Sequence, residues 1–248
     1  MTGELLPRTA LTSAHHARML DILAANFQNI TPERFEDDLR EKNWVILIHD
    51  DAAKVVGFST LLFYQAQFAG TPIAVVYSGD TIIEKEAWGS AALPRTWIQS
   101  VWKLHAATYP ELPLYWLLIT SGFRTYRFLS VFWREFHPSC RGPTPPPMQR
   151  LLNELATARF GARFDPAAGV AHLGQPLRES LLPIPAAKLQ EPDIAFFAAH
   201  NPGYVDGDEL VCIAELTREN LTPAGWRMVM PAGERLAHAI ARDPHGVP

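Results

Sequence analysis

A few short stretches of this sequence carry residues whose types and spacing could do chemistry. In the run 71–83, Asp80 follows Gly79 among residues that are otherwise apolar or small. A carboxylate is unexpected in such a strand, so Asp80 reads either as a proton acceptor or as a solvated turn residue. Glu84, at the end of the same run, is a second candidate. Gly89, Ser90, Ala91 and Ala92 then form a run of small residues ahead of a helical stretch. Small side chains let backbone N–H groups approach an anion, and the helix dipole favours negative charge at that end. A tight packing turn is the competing reading. Arg95 and Thr96, in the first helical turn, could add contacts. Further on, Tyr126 offers a phenol that could donate a proton, or an ordinary tyrosine with a buried ring and a wet hydroxyl.

Other constellations point to less. The 9 histidines include no HExxH and no Cys–His spacing suited to zinc, so no metal is expected. Asp206-Gly207-Asp208-Glu209 reads as a hairpin turn, because it lacks the full spacing of a calcium loop. Cys140 lies near His137 but precedes a Pro-rich connector, with no helix dipole to lower its pKa. No G-x-S-x-G elbow is present. The 22 Lys and Arg against 26 Asp and Glu give a net charge of -4, which excludes a broad basic face for nucleic acid. No apolar run approaches the roughly 18–20 residues of a membrane helix. The opening residues lack the pattern of an export signal, and 2 cysteines cannot build a disulfide framework. A cytoplasmic protein without a membrane partner is the expectation. With 248 residues, 48% of them hydrophobic, the chain can bury a substantial core.

The elements that must position these residues can be read from periodicity. The first forty residues read as helix, with Ser13 as N-cap and a second start at Thr31-Pro32. Residues 44–50, 54–68 and 72–83 then read as three strands of an antiparallel meander joined by short turns. A helix is expected over about 94–107, and residues 113–119 form an almost wholly apolar run, as in a strand buried on both faces. A helix over 121–136 should end at His137-Pro138. Residues 141–147 are a stiff extended connector, and residues 148–161 a helix capped by Gly161. The Pro-spaced stretch 175–192 should follow the surface. Residues 193–197 and 209–216 are expected to be the last two strands. Most of the aromatic residues fall between 58 and 136. They serve the core or line an apolar pocket suited to a long acyl chain or an aromatic acceptor.

In the order of these elements, with VVYSGDTIIEKEAWGSAAL at the centre, residues 14–137 resemble the GCN5-related N-acetyltransferase (GNAT) superfamily. Members carry a long strand, a loop of pattern Q/R-x-x-G-x-G/A and a helix, and the loop binds the pyrophosphate of acetyl-CoA. The matching stretch is Glu86-Ala87-Trp88-Gly89-Ser90-Ala91, with Glu86 where Gln or Arg is usual and Trp88 where a basic residue is common.

The resemblance implies an α/β fold with a mixed, largely antiparallel central sheet flanked by helices, and a C-terminal extension. Residues 1–140 would be the acyl-CoA-binding core, and 141–248 would complete the sheet within one continuous domain. It implies an acyltransferase that moves an acetyl or longer acyl group from CoA to a small-molecule amine acceptor. Acetyl-CoA or another acyl-CoA is then the co-substrate. Ile82, Ile83, Trp88, Gly89, Ser90, Ala91, Ala92 and Arg95 would hold it, and Ser78-Gly79-Asp80 would be a strand bulge. Asp80 would take the proton of the amine, and Tyr126 would protonate the departing thiolate. Two alternatives stay open. One is a degenerate, non-catalytic member that binds a small molecule or a partner. The other is a synthase of N-acyl amino acids or acyl-homoserine lactones fed by an acyl carrier protein, a donor that a loop of weak basic character would suit. Each is compatible with a homodimer.

Overall fold

A computed structural model describes residues 1–229 of the chain. Its centre is an eight-stranded sheet, with β1 (Thr2–Pro7) at one edge. The meander is present as β2 (Trp44–His49), β3 (Val55–Phe68) and β4 (Thr71–Ile83), all antiparallel. Its second turn is Ala69-Gly70, where both residues take positive φ. A two-residue hairpin loop needs that handedness, and Gly70 adopts it without strain. β5 (Leu114–Thr120) lies parallel to β4. β8 (Asp208–Glu215) runs antiparallel along the other side of β5, followed by the short β7 (Val170–His172) and β6 (Phe164–Asp165). The sheet is therefore continuous from the first half of the chain into the second. This is the mixed, mostly antiparallel α/β architecture that the resemblance implies.

Helices cover both faces. α1 (Ser13–Asn26) and α2 (Pro32–Arg40) close one face over β2 and β3, burying Met19, Ile22, Phe35 and Leu39 against Val45, Leu47 and Phe58. α5 (Pro146–Phe160) covers the same face further along, where Val75, Tyr77, Leu117 and Val211 point. The opposite face receives α3 (Ala92–Thr108), α4 (Phe123–Phe132), α6 (Pro192–His200) and α7 (Pro223–Val229). Strand alternation sorts the side chains of β4: Ala74 and Val76 go to the α3–α4 side, Ile73, Val75 and Tyr77 to the α5 side. Much of the aromatic crowding is core. Trp97 lies 4.3 Å from Trp116, which lies 5.1 Å from Trp133, centroid to centroid. Among the described residues no helix is long and apolar enough to cross a membrane.

Several expectations need correction. The chain begins with a strand, β1 (Thr2–Pro7), paired with β2. It is an edge strand with mostly exposed side chains, so no alternation announces it. Thr12, rather than Ser13, caps α1, its hydroxyl accepting from the His15 N–H. Residues 193–197 are helical in α6, with Pro192 at the helix start and Ile194 and Phe197 buried on one face. A five-residue apolar run does not discriminate helix from strand by periodicity. α4 ends at Phe132, well before His137.

The stretch 175–192 follows the surface as expected, with no buried residue, and together with Leu173 it is anchored to neighbouring elements. Its backbone is tied to the end of α1 and to α2. Gln28 N donates to Pro176 O at 2.8 Å, Arg178 N to Asn26 O at 2.8 Å, and the Arg34 guanidinium to Leu173 O at 2.6 Å. This segment roofs the cavity described next.

Candidate active site

β4 and β5 pair from Ala74↔Leu114 to Ser78↔Leu118 and no further. The separation begins at a bulge. Leu61 of β3 faces Ser78 and Ser59 faces Thr81, so Gly79 and Asp80 stand opposite Thr60 alone. Beyond this point β4 pairs only with β3, and β5 only with β8. A hydrogen bond from Trp116 Nε1 to Ser78 Oγ, 2.7 Å and buried, pins the two strands where they part. Gly79 gives the Lys42 side chain room here. A Cβ at this position would lie 2.9 Å from Lys42 Cε and 3.1 Å from Thr60 Oγ1. Past the fork a cavity of about 670 Å³ opens, bounded by the β4 edge from Gly79 to Ile83 and by Ile119, Thr120 and Ser121 of the β5 side.

One end of the cavity is built for an anion. Residues 88–91 lead into α3, which begins at Ala92, so Pro94 falls in the first turn, where its missing N–H costs nothing. Ser90 N donates to Ala87 O, and Ser90 Oγ accepts from Ala92 N at 3.1 Å. The N–H groups of Gly89, Ala91 and Leu93 find no acceptor among the described residues, and all three residues line the cavity. A Cβ at Gly89 would meet nothing within 4 Å, so this position borders open space. Trp88 is held by its indole N–H, which donates to Ile83 O at 3.0 Å. The Arg124 guanidinium, from the first turn of α4, lies 4.1 Å from the centre of the Trp88 ring and 4.6 Å from that of Phe123. It makes no ion pair among the described residues and lines the cavity. Glu86 is exposed and lies outside the cavity lining.

The other end is charged. Asp80 of β4, Glu209 of β8, and Asp38 and Lys42 at the end of α2 all line it. Burial pushes the Asp80 carboxyl up to about 6, with the Lys42 ammonium opposing and Asp38 adding to the rise. Glu209 is pushed up to about 8, by burial first and then by the charges of Asp80 and Asp38. Both side chains keep some contact with the cavity and are only half-buried by surface. Burial also lowers the Lys42 ammonium from its ordinary value, with Asp80 opposing. Next to these, Arg159 pairs with Glu41 and lies 4.8 Å from the centre of the Tyr77 ring.

The residues singled out from the sequence divide accordingly. Asp80, Ile82, Ile83, Trp88, Gly89, Ser90 and Ala91 line one cavity. Ala92 and Arg95 are outside its lining, and the Arg95 Nε is buried without a hydrogen-bond partner. Tyr126 is the main correction. Its ring is fully buried among Phe136, Phe196 and Phe197, its hydroxyl donates to Pro138 O at 3.0 Å, and it does not line the cavity. Burial raises its pKa far above that of a free phenol. Glu84 is paired with Arg18 at 2.6 Å and stays outside as well.

Three contributors escaped the sequence reading: Arg124, Lys42 and Glu209. Arg124 stands where the loop itself lacks a basic residue, but only the fold brings α4 to Trp88. Glu209 stood both in the turn 206–209 and at the start of the expected strand 209–216; it lies near the start of β8, beside β5.

The sequence matches no protein-family model and no curated protein. Among solved structures, similarity is found to a conserved protein of unknown function from Enterococcus faecalis, with 17% identity and a TM-score of 0.39 over 55% of this chain and 33% of that one. A Trypanosoma brucei acetyltransferase matches at 15% identity and a TM-score of 0.39, over 57% of this chain and 99% of the other. The GNAT family N-acetyltransferase YhbS from Escherichia coli, in complex with CoA, matches at 13% identity and a TM-score of 0.37, over 52% and 68%. The present chain thus spans a third of the Enterococcus protein and most of the other two.

Proposed function

We propose that the chain is a GNAT-type acyltransferase that moves an acyl group from acyl-CoA to an amine. The observation that carries this reading is the fork between β4 and β5, with unpaired amides and a free arginine at one end and a carboxylate of raised pKa at the other. The β4 edge from Gly79 to Ile83 has no strand partner on its β5 side, so its peptide groups can bond the amides of a pantetheine arm. The pyrophosphate would sit on the N–H groups of Gly89, Ala91 and Leu93, with the Arg124 charge beside it. The thioester carbonyl then faces the bulge.

An amine reaches this carbon from the charged end. Asp80, ionised at neutral pH with a pKa near 6, accepts a proton from the amine nitrogen. The C–N bond forms, the C–S bond breaks, and the electron pair leaves on sulfur. A thiol titrates near pH 8.5, so the thiolate is a competent leaving group without a phenol beside it. Tyr126 has no part in this scheme.

Calorimetric titration with CoA and dephospho-CoA, before and after Gly89→Val, tests the donor site. The variant has room for its side chain and should fold, yet it should lose CoA binding because a branched side chain crowds the loop whose N–H groups would meet the pyrophosphate. Wild-type CoA affinity in Gly89→Val would remove the loop from the site. No CoA binding by the native protein would leave the carrier-borne donor and the non-catalytic alternative.

A further inference from the structure

The charged end of the cavity holds more groups than one proton transfer uses, and they are not paired with each other. Lys42 is 5% exposed. Its ammonium donates one hydrogen bond, to Asp38 O at 3.0 Å, lies 5.4 Å from the centre of the Tyr77 ring, and among the described residues has no carboxylate within the 4.0 Å of an ion pair. Two of its three N–H bonds have no hydrogen-bond acceptor among the described residues, in a wall of the cavity. A buried cation in this condition is costly unless something anionic completes it. Opposite charges stand close by. Asp80, Asp38 and Glu209 line the same end, and none of them makes an ion pair among the described residues. They do not converge on a point where a metal ion could be held. The charges of Asp80 and Asp38 both reach Lys42 and Glu209, so the four groups share one field.

An acceptor that completes this arrangement carries both charges a bond or two apart. From these groups we infer that the acceptor is a small zwitterion of the amino-acid type, its carboxylate on Lys42 and its amine on Asp80. The inference rests on the acyl-transfer reading and names the acceptor of that same site. Glu209 and Asp38 add a negative field that favours the ammonium side, while Lys42 disfavours a second ammonium and so argues against a polyamine. Gly79 belongs to the same device. A Cβ there would lie 2.9 Å from Lys42 Cε and 3.4 Å from Lys42 Nζ, so the bare backbone leaves the Lys42 side chain room over the bulge. Arg159 is already paired with Glu41 and is not needed for the carboxylate.

The test compares acceptors that differ by one charge. Glycine, L-alanine, L-glutamate, L-lysine and L-phenylalanine are set against their amides, ethylamine and spermidine. Release of CoA thiol from acetyl-CoA is followed for each, and binding of each without a donor is read by calorimetry. At least one free amino acid should be used with a kcat/KM about tenfold or more above that of its amide, as expected of a hydrogen bond to a charged partner. Lys42→Met should collapse that ratio towards one, and Lys42→Arg should restore part of it, with thermal melts showing both variants folded. Amides, ethylamine or spermidine reacting as well as every amino acid would overturn the inference while leaving acyl transfer intact. The inference also falls if acetyl-CoA binds and no amino acid either binds or reacts. Amino acids that bind through Lys42 in a protein blind to acetyl-CoA would uphold it and remove the acyl-transfer reading instead. Should neither acetyl-CoA nor any amino acid bind, both would fall.

Discussion

Glu209 offers the most direct physical test of the site, because its environment works against its charge. A free glutamate titrates near 4.5, and this one is pushed up to about 8 by burial and by the charges of Asp80 and Asp38. The folded protein therefore binds a proton that the unfolded chain has released, throughout the window between these values. Stability must fall as pH rises across that window, with no penalty well below 4.5 and the full penalty above 8. At 1.36 kcal/mol per unit, the interval gives an upper bound of about 5 kcal/mol. The cavity admits water to part of the side chain, which reduces this to about 2 kcal/mol. Glu209→Gln keeps the shape and removes the charge. It should therefore melt at nearly the wild-type temperature at pH 5 and about 4–8 °C higher at pH 8, at a few degrees per kcal/mol for a chain of this size. Urea denaturation at both pH values provides an independent measure. A pH 8 melting point equal to wild type would show that the carboxylate is well solvated, and the charged end of the cavity would lose its physical basis.

Further outcomes follow from the same geometry. Tyr126→Phe should keep turnover within about twofold of wild type and cost about 1–3 kcal/mol in stability, since Pro138 O loses its buried donor; a loss of kcat by a hundredfold or more would return the phenol to the chemistry. Arg124→Ala should weaken CoA binding by about 10–100-fold, the worth of a charge-assisted contact, with little effect on the melting point; unchanged affinity in calorimetry would separate this arginine from the phosphates. For Asp80, kcat/KM should rise with pH through an acidic limb near 6, the pH at which its carboxyl ionises, and Asp80→Asn should lower kcat by about 10²–10⁴-fold. A limb near 4, or a fully active asparagine variant, would assign the base elsewhere.

The sequence carried the fold where burial imposes a period. The three strands of the meander, the run at 113–119 and the helices after Thr31 and over 148–161 are each marked by apolar spacing or by a terminal residue with one conformational job. Thr31 caps α2 through the Arg34 N–H, Pro32 opens it, and Gly161 closes α5. What escaped had no such signature. β1 is an exposed edge held by backbone pairing with β2, and α6 is too short for its apolar residues to reveal a period. The roof at 173–191 depends on hydrogen bonds to α1 and α2 made by residues far away in sequence, which no local pattern encodes.

The site was legible for a related reason, and only on one side. Ser78-Gly79-Asp80 interrupts an apolar strand, so a local irregularity in composition marked a local irregularity in structure, and the bulge is where the strands part. Its partners are ordinary residues until the chain is folded. Nothing in the sequence marks Lys42 or Arg124, and Glu209 stands where a turn motif meets an expected strand. Each gains its character from what it meets: Lys42 from the bare backbone of Gly79, Glu209 from the fork that exposes β8 to the cavity, Arg124 from the face of Trp88. Tyr126 fails in the opposite sense. Its residue type and its place after a buried strand suit a proton donor, yet the aromatic cluster around it and the Pro138 carbonyl claim both its ring and its hydroxyl. A reactive residue type thus marks a site only when the fold leaves its polar atom unsatisfied. By that criterion the donors of Lys42, Gly89, Ala91 and Leu93 and the carboxylates of Asp80 and Glu209, which lack partners among the described residues, are the groups on which function here should depend.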